Sequence, residues 1–203
     1  MSSPASLADF PRLVLPERTR RLVIRDFTGG DLGAMHAYAS RAEVTRYLLW
    51  GPNDVEQSRA TLDDFIAQQS ADPRVRYDLA LALPGGRAIG GISLHVDDAR
   101  TGSAEIGYVL HSDYWGAGFV SEAAWALADA AFSQWPLNRL WARCVAANQT
   151  SRRVLERMGM RHEGTLLRAE RIDGVWHDVL LFAVLAEEWR ASTAGEAGAA
   201  AGR

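Results

Sequence analysis

The stretch Glu105–Glu122, EIGYVLHSDYWGAGFVSE, limits what this chain can fold into more than any other. It opens as a strand, with Ile106, Tyr108 and Leu110 alternating against Gly107 and Val109. The alternation breaks at His111-Ser112-Asp113. Trp115-Gly116-Ala117-Gly118-Phe119 then leads into an Ala-rich helical run as far as Phe132. A strand, a glycine loop and a helix in that order aim backbone N–H groups and the positive end of a helix dipole at one point, which suits an anion. Gly116 and Gly118 permit backbone angles that other residues resist and allow close approach of a ligand. Taken alone, a Gly-x-Gly after a strand is more often a plain turn.

The remaining chain supplies elements that can pack around this unit. Residues 1–18, broken by Pro4, Pro11 and Pro16, read as an irregular N-terminal extension. Leu22-Val23-Ile24 reads as a first strand. Asp31 is placed to cap a helix running to about Ser40. Tyr47-Leu48-Leu49-Trp50-Gly51-Pro52 reads as an aromatic loop, after which Asn53 or Asp54 caps a helix through Leu62, Phe65 and Ile66. Two strands, Tyr77–Leu83 and Ala88–Val96, flank the turn Pro84-Gly85-Gly86, with Gly90-Gly91 a bulge or a close backbone contact. After the central strand Thr101–Leu110 comes a helix from about Gly118 to Ser133, with Val120, Ala124, Leu127 and Ala131 inward and Glu122 and Asp129 outward. A strand Leu140–Ala146, a helix capped by Asn148 and ended by Gly159, and a hairpin turning at Asp173-Gly174 complete the order. Residues 191–203, rich in Ala and Gly, read as a disordered tail, so the expected domain spans 19–190.

Composition excludes several classes. With 203 residues the chain has length for one domain with a sizeable core. A formal charge of −3 argues against a nucleic-acid scaffold. Its single cysteine, Cys144, cannot form an internal disulfide and suits a reducing cytoplasm. The apolar runs are too short to span a bilayer, and the start carries no export-type pattern, so no membrane partner is expected. No metal-ligand spacing, Ser-His-Asp arrangement or Walker loop is present in the sequence.

About thirty residues past the glycine loop lie Asn148-Gln149-Thr150-Ser151 and Val154-Leu155-Glu156-Arg157-Met158-Gly159-Met160. Together with Ala104–Tyr108, Tyr114–Phe119, Ser121–Ala123, Leu137–Arg139, Glu163-Gly164, Leu167-Arg168, Asp178 and Glu188-Trp189, they give the sequence a resemblance. It resembles the GNAT superfamily of acetyl-CoA-dependent N-acetyltransferases, and within it the RimJ/RimL-type branch that acts on ribosomal-protein N-termini. The resemblance implies an α/β (α+β) GNAT fold: a mixed, mostly antiparallel sheet of six to seven strands with helices on both faces. It implies acetyl-CoA as co-substrate, with no metal, and a primary amine as acceptor. A homodimer is implied by fold-level analogy alone.

The resemblance also distributes roles. Trp115, Gly116, Ala117, Gly118, Phe119 and Val120 would cradle the pyrophosphate of coenzyme A. The family often has Arg or Gln where Trp115 stands, and a basic residue where Ala117 stands, so the charge for the phosphates must come from elsewhere. Arg152 and Arg153, on the first turn after Asn148, are candidates, equally read as a solvated helix face. Tyr108, Val109 and Leu110 would offer backbone groups to the pantetheine arm. Asn148 reads as a helix cap, and the resemblance adds contact with the pantetheine or acetyl region. Ser151 either fills the capping turn or donates a proton to the departing thiolate. Glu105 is either a polar strand end or the general base. Tyr108 reads as packed in the sheet, His111 as a turn residue and Cys144 as a small buried hydrophobe. Trp50 is the aromatic residue placed over the acceptor.

The favoured activity is acetyl transfer to a protein or peptide α-amine by direct attack in a ternary complex. The alternatives are a small-molecule amine (polyamine, aminoglycoside or other antibiotic) and, in another class, a non-catalytic acyl-CoA-binding module.

Overall fold

A computed structural model of the chain describes residues 6–15 and 18–192. The expected tail, almost all of it, and residues 1–5, 16 and 17 of the expected extension lie outside the described residues. Seven strands form one sheet: β1 Val23–Asp26, β2 Arg76–Ala82, β3 Ala88–Asp98, β4 Ser103–Leu110, β5 Arg139–Val145, β6 Arg161–Ile172 and β7 Val175–Leu185. Their spatial order is β1-β2-β3-β4-β5-β7-β6, and every neighbouring pair is antiparallel except β4 with β5. The helices are α1 Leu32–Ala39, α2 Ala42–Thr45, α3 Val55–Gln68, α4 Phe119–Gln134 and α5 Gln149–Arg157. The chain is helical again over residues 186–192. This is the mixed, mostly antiparallel sheet expected from the sequence, with helices on both faces.

The side-chain alternation of each strand divides the core in two. On one face Leu79, Ile92, Leu94, Ile106 and Leu140 pack under α4 and α5. α4 meets them with Ala124, Leu127, Ala128 and Ala131, all fully buried, at the i, i+3, i+4, i+7 spacing of one helical stripe. Small residues on that stripe let the helix axis come close to the sheet. On the other face Phe27, Met35, Tyr38, Leu62 and Ala80 form a smaller core with α1 and α3.

Phe10 and Leu13, within the expected extension, are buried in the larger core. Their backbone is tied down by Trp135 Nε1, which donates to the Pro11 carbonyl at 2.8 Å, and by the Tyr77 hydroxyl, which accepts from Leu13 N–H at 2.7 Å.

Two local expectations differ. Asp31 stands at the start of α1, but its carboxylate does not cap that helix. It accepts from Arg25 Nη1 and Nη2 at 2.8 Å each and from Thr28 N–H at 2.8 Å, because a tight turn over Gly29–Asp31 points it back at β1. Glu122 does not face outward. Helical periodicity predicts the side of a helix, not a partner brought to it from residue 21.

Candidate active site

The parallel pair at the middle of the sheet is short. β4 and β5 are in register only at Ser103 with Arg139, Ala104 with Leu140 and Glu105 with Trp141, and beyond Glu105 they part. The hydrogen bond from His111 N–H to the Ile89 carbonyl, 2.9 Å, fixes which residues of β4 are bonded to β3. In an antiparallel ladder such residues alternate, so Gly107 and Val109 spend their backbone groups on β3. Tyr108 and Leu110 turn theirs into the parting, and Ile106 its carbonyl, while the Glu105–Trp141 register keeps the Ile106 N–H paired with β5. The Leu110 carbonyl is taken by Trp115 Nε1 at 2.8 Å, which ties the glycine loop to the strand end. Gly90 lies so close across the ladder that a Cβ there would collide with the Val109 carbonyl.

The parting opens into a cavity of about 810 Å3, within the size range of small-molecule sites. One wall is β4 from Glu105 to Leu110, another is β5 from Ala142 to Val145 with Asn148 and Ser151, and a third is the loop Tyr47–Trp50. Trp50, 40% exposed, sits on that third wall of the cavity that Glu105 also lines. Trp115 and Val120 also reach the cavity.

At one end of it stands the glycine loop. Gly116 and Gly118 have φ of +76° and +78°, the left-handed region that other residues adopt at a cost, and Gly118 is the N-cap of α4. Among the described residues, no protein acceptor takes the backbone N–H groups of 116–121. Six unpaired amides at the positive end of a helix suit a phosphate, while Ala117 and Phe119 contribute backbone only. Arg152 is spent on Glu156 at 2.8 Å along the exposed face of α5, and Arg153 is exposed beside it.

Asn148 caps α5: its Oδ1 accepts from Ser151 N–H at 3.1 Å. That leaves its amide NH2 with no protein partner among the described residues, on the cavity wall. Ser151 Oγ lies 2.9 Å from the Tyr108 hydroxyl. Burial pushes the Tyr108 phenol well up, against a smaller opposing pull from Ser151, so it stays a proton donor. Burial likewise pushes the Cys144 thiol up, offset in part by its hydrogen bond with Ser151. A thiol held protonated is a poor nucleophile. His111 is a buried turn residue, its Nδ1 accepting from Asp113 N–H at 3.2 Å; burial first, then Arg41, holds it below its ordinary value.

Glu105 marks the last register pair before the strands part. Its carboxylate lies 3.3 Å from Arg143 Nε, and Arg143 also reaches Glu170 at 3.6 Å. Strand alternation puts Glu105 and Tyr108 on opposite faces of the sheet: Glu105 toward the α1/α3 side with Trp50, Tyr108 toward α5. The parting therefore has a carboxylate on one side and a hydroxyl pair on the other, three residues apart along one strand.

Two features escape sequence reasoning. One is Arg21, whose guanidinium donates to the Ala117 carbonyl at 2.8 Å and to Glu122 at 2.7 Å. The other is the polar row Arg76, Asp78 and His95 beside Glu105, in which buried Asp78 accepts from Arg76 Nε at 2.7 Å and meets His95 Nε2 at 3.1 Å. Neither carries a local sequence signal, since both depend on register between distant segments.

Comparison with known proteins agrees with this geometry. Residues 21–161 match the family described as "Acetyltransferase (GNAT) domain". The chain is 32% identical to the uncharacterized N-acetyltransferase p20 of Bacillus licheniformis, over 84% of this chain and 96% of that protein. It is 35% identical to the ribosomal-protein-serine acetyltransferase of Escherichia coli strain K12, over 47% of this chain and 53% of that protein. A crystal structure of a GNAT-family acetyltransferase from Bacillus anthracis superposes with a TM-score of 0.74 at 30% identity, covering 84% of this chain and 98% of that one.

Proposed function

The chain belongs to the GNAT family of acetyltransferases, and we propose that it transfers the acetyl group of acetyl-CoA to the free α-amine of a protein or peptide. The observation that carries this reading is the placement of Glu105 and Tyr108 on opposite sides of the strand parting. The pantetheine arm, itself an extended chain of amides, fits beside the Ile106 carbonyl, both backbone groups of Tyr108 and the Leu110 N–H as an added strand would. Its phosphates then fall at the glycine loop and its thioester near the apex of the parting.

The amine approaches from the Trp50 side and gives its proton to Glu105, directly or through one water. Its nitrogen attacks the thioester carbon, and a free strand N–H stabilises the oxyanion. On collapse the C–S bond breaks, the nitrogen releases its second proton to water, and the thiolate takes a proton from Ser151, which the Tyr108 hydroxyl replenishes before regaining one from solvent. Asn148 offers its spare NH2 to the donor from the β5 side. The raised Cys144 thiol favours direct attack over an acetyl-cysteine intermediate.

The acceptor class follows from proton supply and from a relative. An α-amine has a pKa near 8 and a lysine amine near 10.4, so at neutral pH about a tenth of the former is already neutral and far less of the latter. A carboxylate base such as Glu105 suits the easier proton. The Escherichia coli relative bears the name of a ribosomal-protein acetyltransferase, which points to a protein acceptor. The test is a competition between peptides with free N-termini and N-terminally blocked peptides containing lysine, with small polyamines and aminoglycosides as further arms. Free N-termini are expected to take most of the acetyl group. Preferential labelling of blocked lysine peptides or of a small amine would overturn the acceptor assignment while leaving acetyl transfer intact.

A further inference from the structure

The loop Trp115–Val120 contains no cation, yet a pyrophosphate bound there brings two negative charges beside Glu122 in the first turn of α4. Arg21, which lies outside the sheet and nearly a hundred residues earlier, is placed to answer both problems. Its Nε donates to Glu122 Oε2 at 2.7 Å and its Nη1 to the Ala117 carbonyl at 2.8 Å. The guanidinium carbon stands 4.5 Å over the centre of the Phe119 ring. Nη2 lies 3.6 Å from where a Cβ on Gly118 would be, and it makes no hydrogen bond to a described residue.

Resting on the acetyl-CoA reading above, we propose that Arg21 is a donor-binding residue whose free Nη2 contacts the pyrophosphate of acetyl-CoA, with Glu122 and Ala117 positioning it. Glu122 is firmly held for this task. It accepts from the Thr19 hydroxyl at 2.5 Å and from the Arg21 backbone N–H at 2.7 Å as well as from the guanidinium. Burial alone would raise its carboxyl, but the Thr19 and Arg21 hydrogen bonds outweigh burial and keep it below its ordinary value. Two of the three guanidinium nitrogens are thereby fixed, which aims the third. By turning the Ala117 carbonyl toward itself, Arg21 also keeps that oxygen away from the incoming phosphates. The other nearby cations lack such fixing: Arg152 is bound to Glu156, and Arg153 is exposed on the helix surface.

Calorimetry on wild type, Arg21→Gln and Arg21→Lys tests this with three ligands: coenzyme A, dephospho-coenzyme A, which keeps the pyrophosphate, and S-acetylpantetheine, which lacks it. Arg21→Gln is expected to weaken the first two about tenfold each, roughly 1.4 kcal/mol, and to leave S-acetylpantetheine unchanged. In turnover the variant raises KM for acetyl-CoA with little change in kcat, and the loss shrinks as salt rises. Arg21→Lys keeps the charge but cannot make the forked contacts, so it falls between the two. If Arg21→Gln does not fold, the Lys variant alone decides, since selective weakening of the pyrophosphate ligands supports the assignment and wild-type affinity refutes it. Equal weakening of all three ligands would make Arg21 a support of loop shape only. A loss for coenzyme A that vanishes for dephospho-coenzyme A would overturn the pyrophosphate assignment. A wild-type protein that binds no coenzyme A would instead remove the donor reading beneath it.

Discussion

Glu105→Gln is expected to lower turnover about a hundredfold at pH 6–7, the lower part of the range for a lost general base. Much of that loss should be recovered near pH 9. The sign follows from the acceptor: an α-amine with pKa near 8 is mostly ammonium at pH 6–7 and needs its proton removed, whereas at pH 9 it arrives neutral. The substitution keeps shape and hydrogen-bonding reach but removes the proton acceptor. It also removes the charge beside Arg143, 3.3 Å away, so the pH profile is the decisive readout. Loss of the ion pair alone would give a defect of the same size at every pH, and that flat profile would withdraw Glu105 as the base. Activity with a pre-formed neutral amine of low pKa, little affected by the substitution, would support the same role independently.

Gly118→Val should weaken donor binding at least tenfold, on the order of 1.4 kcal/mol or more. The reason is backbone conformation before it is space. At φ +78° a β-branched residue is strongly disfavoured, so the loop must rearrange and the amides of 116–121 lose their common aim. The Cβ itself has room, with Arg21 Nη2 the nearest neighbour at 3.6 Å. Gly118→Ala separates the two effects: it adds strain with less bulk and is expected to weaken binding less. The circular-dichroism spectrum should not change, because the loop lies outside the core. A folded Gly118→Val protein with wild-type affinity for coenzyme A would refute the cradle.

Much of this arrangement is legible in the sequence because its signals are local. The alternation of Ile106, Tyr108 and Leu110, the two glycines and the Ala-rich stripe of α4 lie within thirty residues, and each reflects backbone preference or amphipathic period. Asn148 is readable for the same reason, since a cap is set by the three residues after it. What the sequence hides is set by register. Asp78 opens directly onto the apolar run Leu79–Ala82 of its strand, and only pairing with β3 brings His95 to it. Glu122 looks like a solvent-facing acid until residues 19–21 are folded against it. The point at which β4 and β5 part is invisible for the same reason: nothing in either strand's own residues states how far they stay paired.

That parting has a consequence for the dynamics of single amides. The N–H groups of Gly107 and Val109 are locked into the β3 ladder, while those of Tyr108 and Leu110 open onto the cavity. Deuterium uptake along β4 in the ligand-free protein should therefore alternate with a period of two, fast at 108 and 110 and slow at 107 and 109, within a single strand at the heart of the sheet. Coenzyme A would slow the fast set selectively. A central strand would thus behave on one side like an edge strand, and the donor would serve as the missing neighbour that completes it.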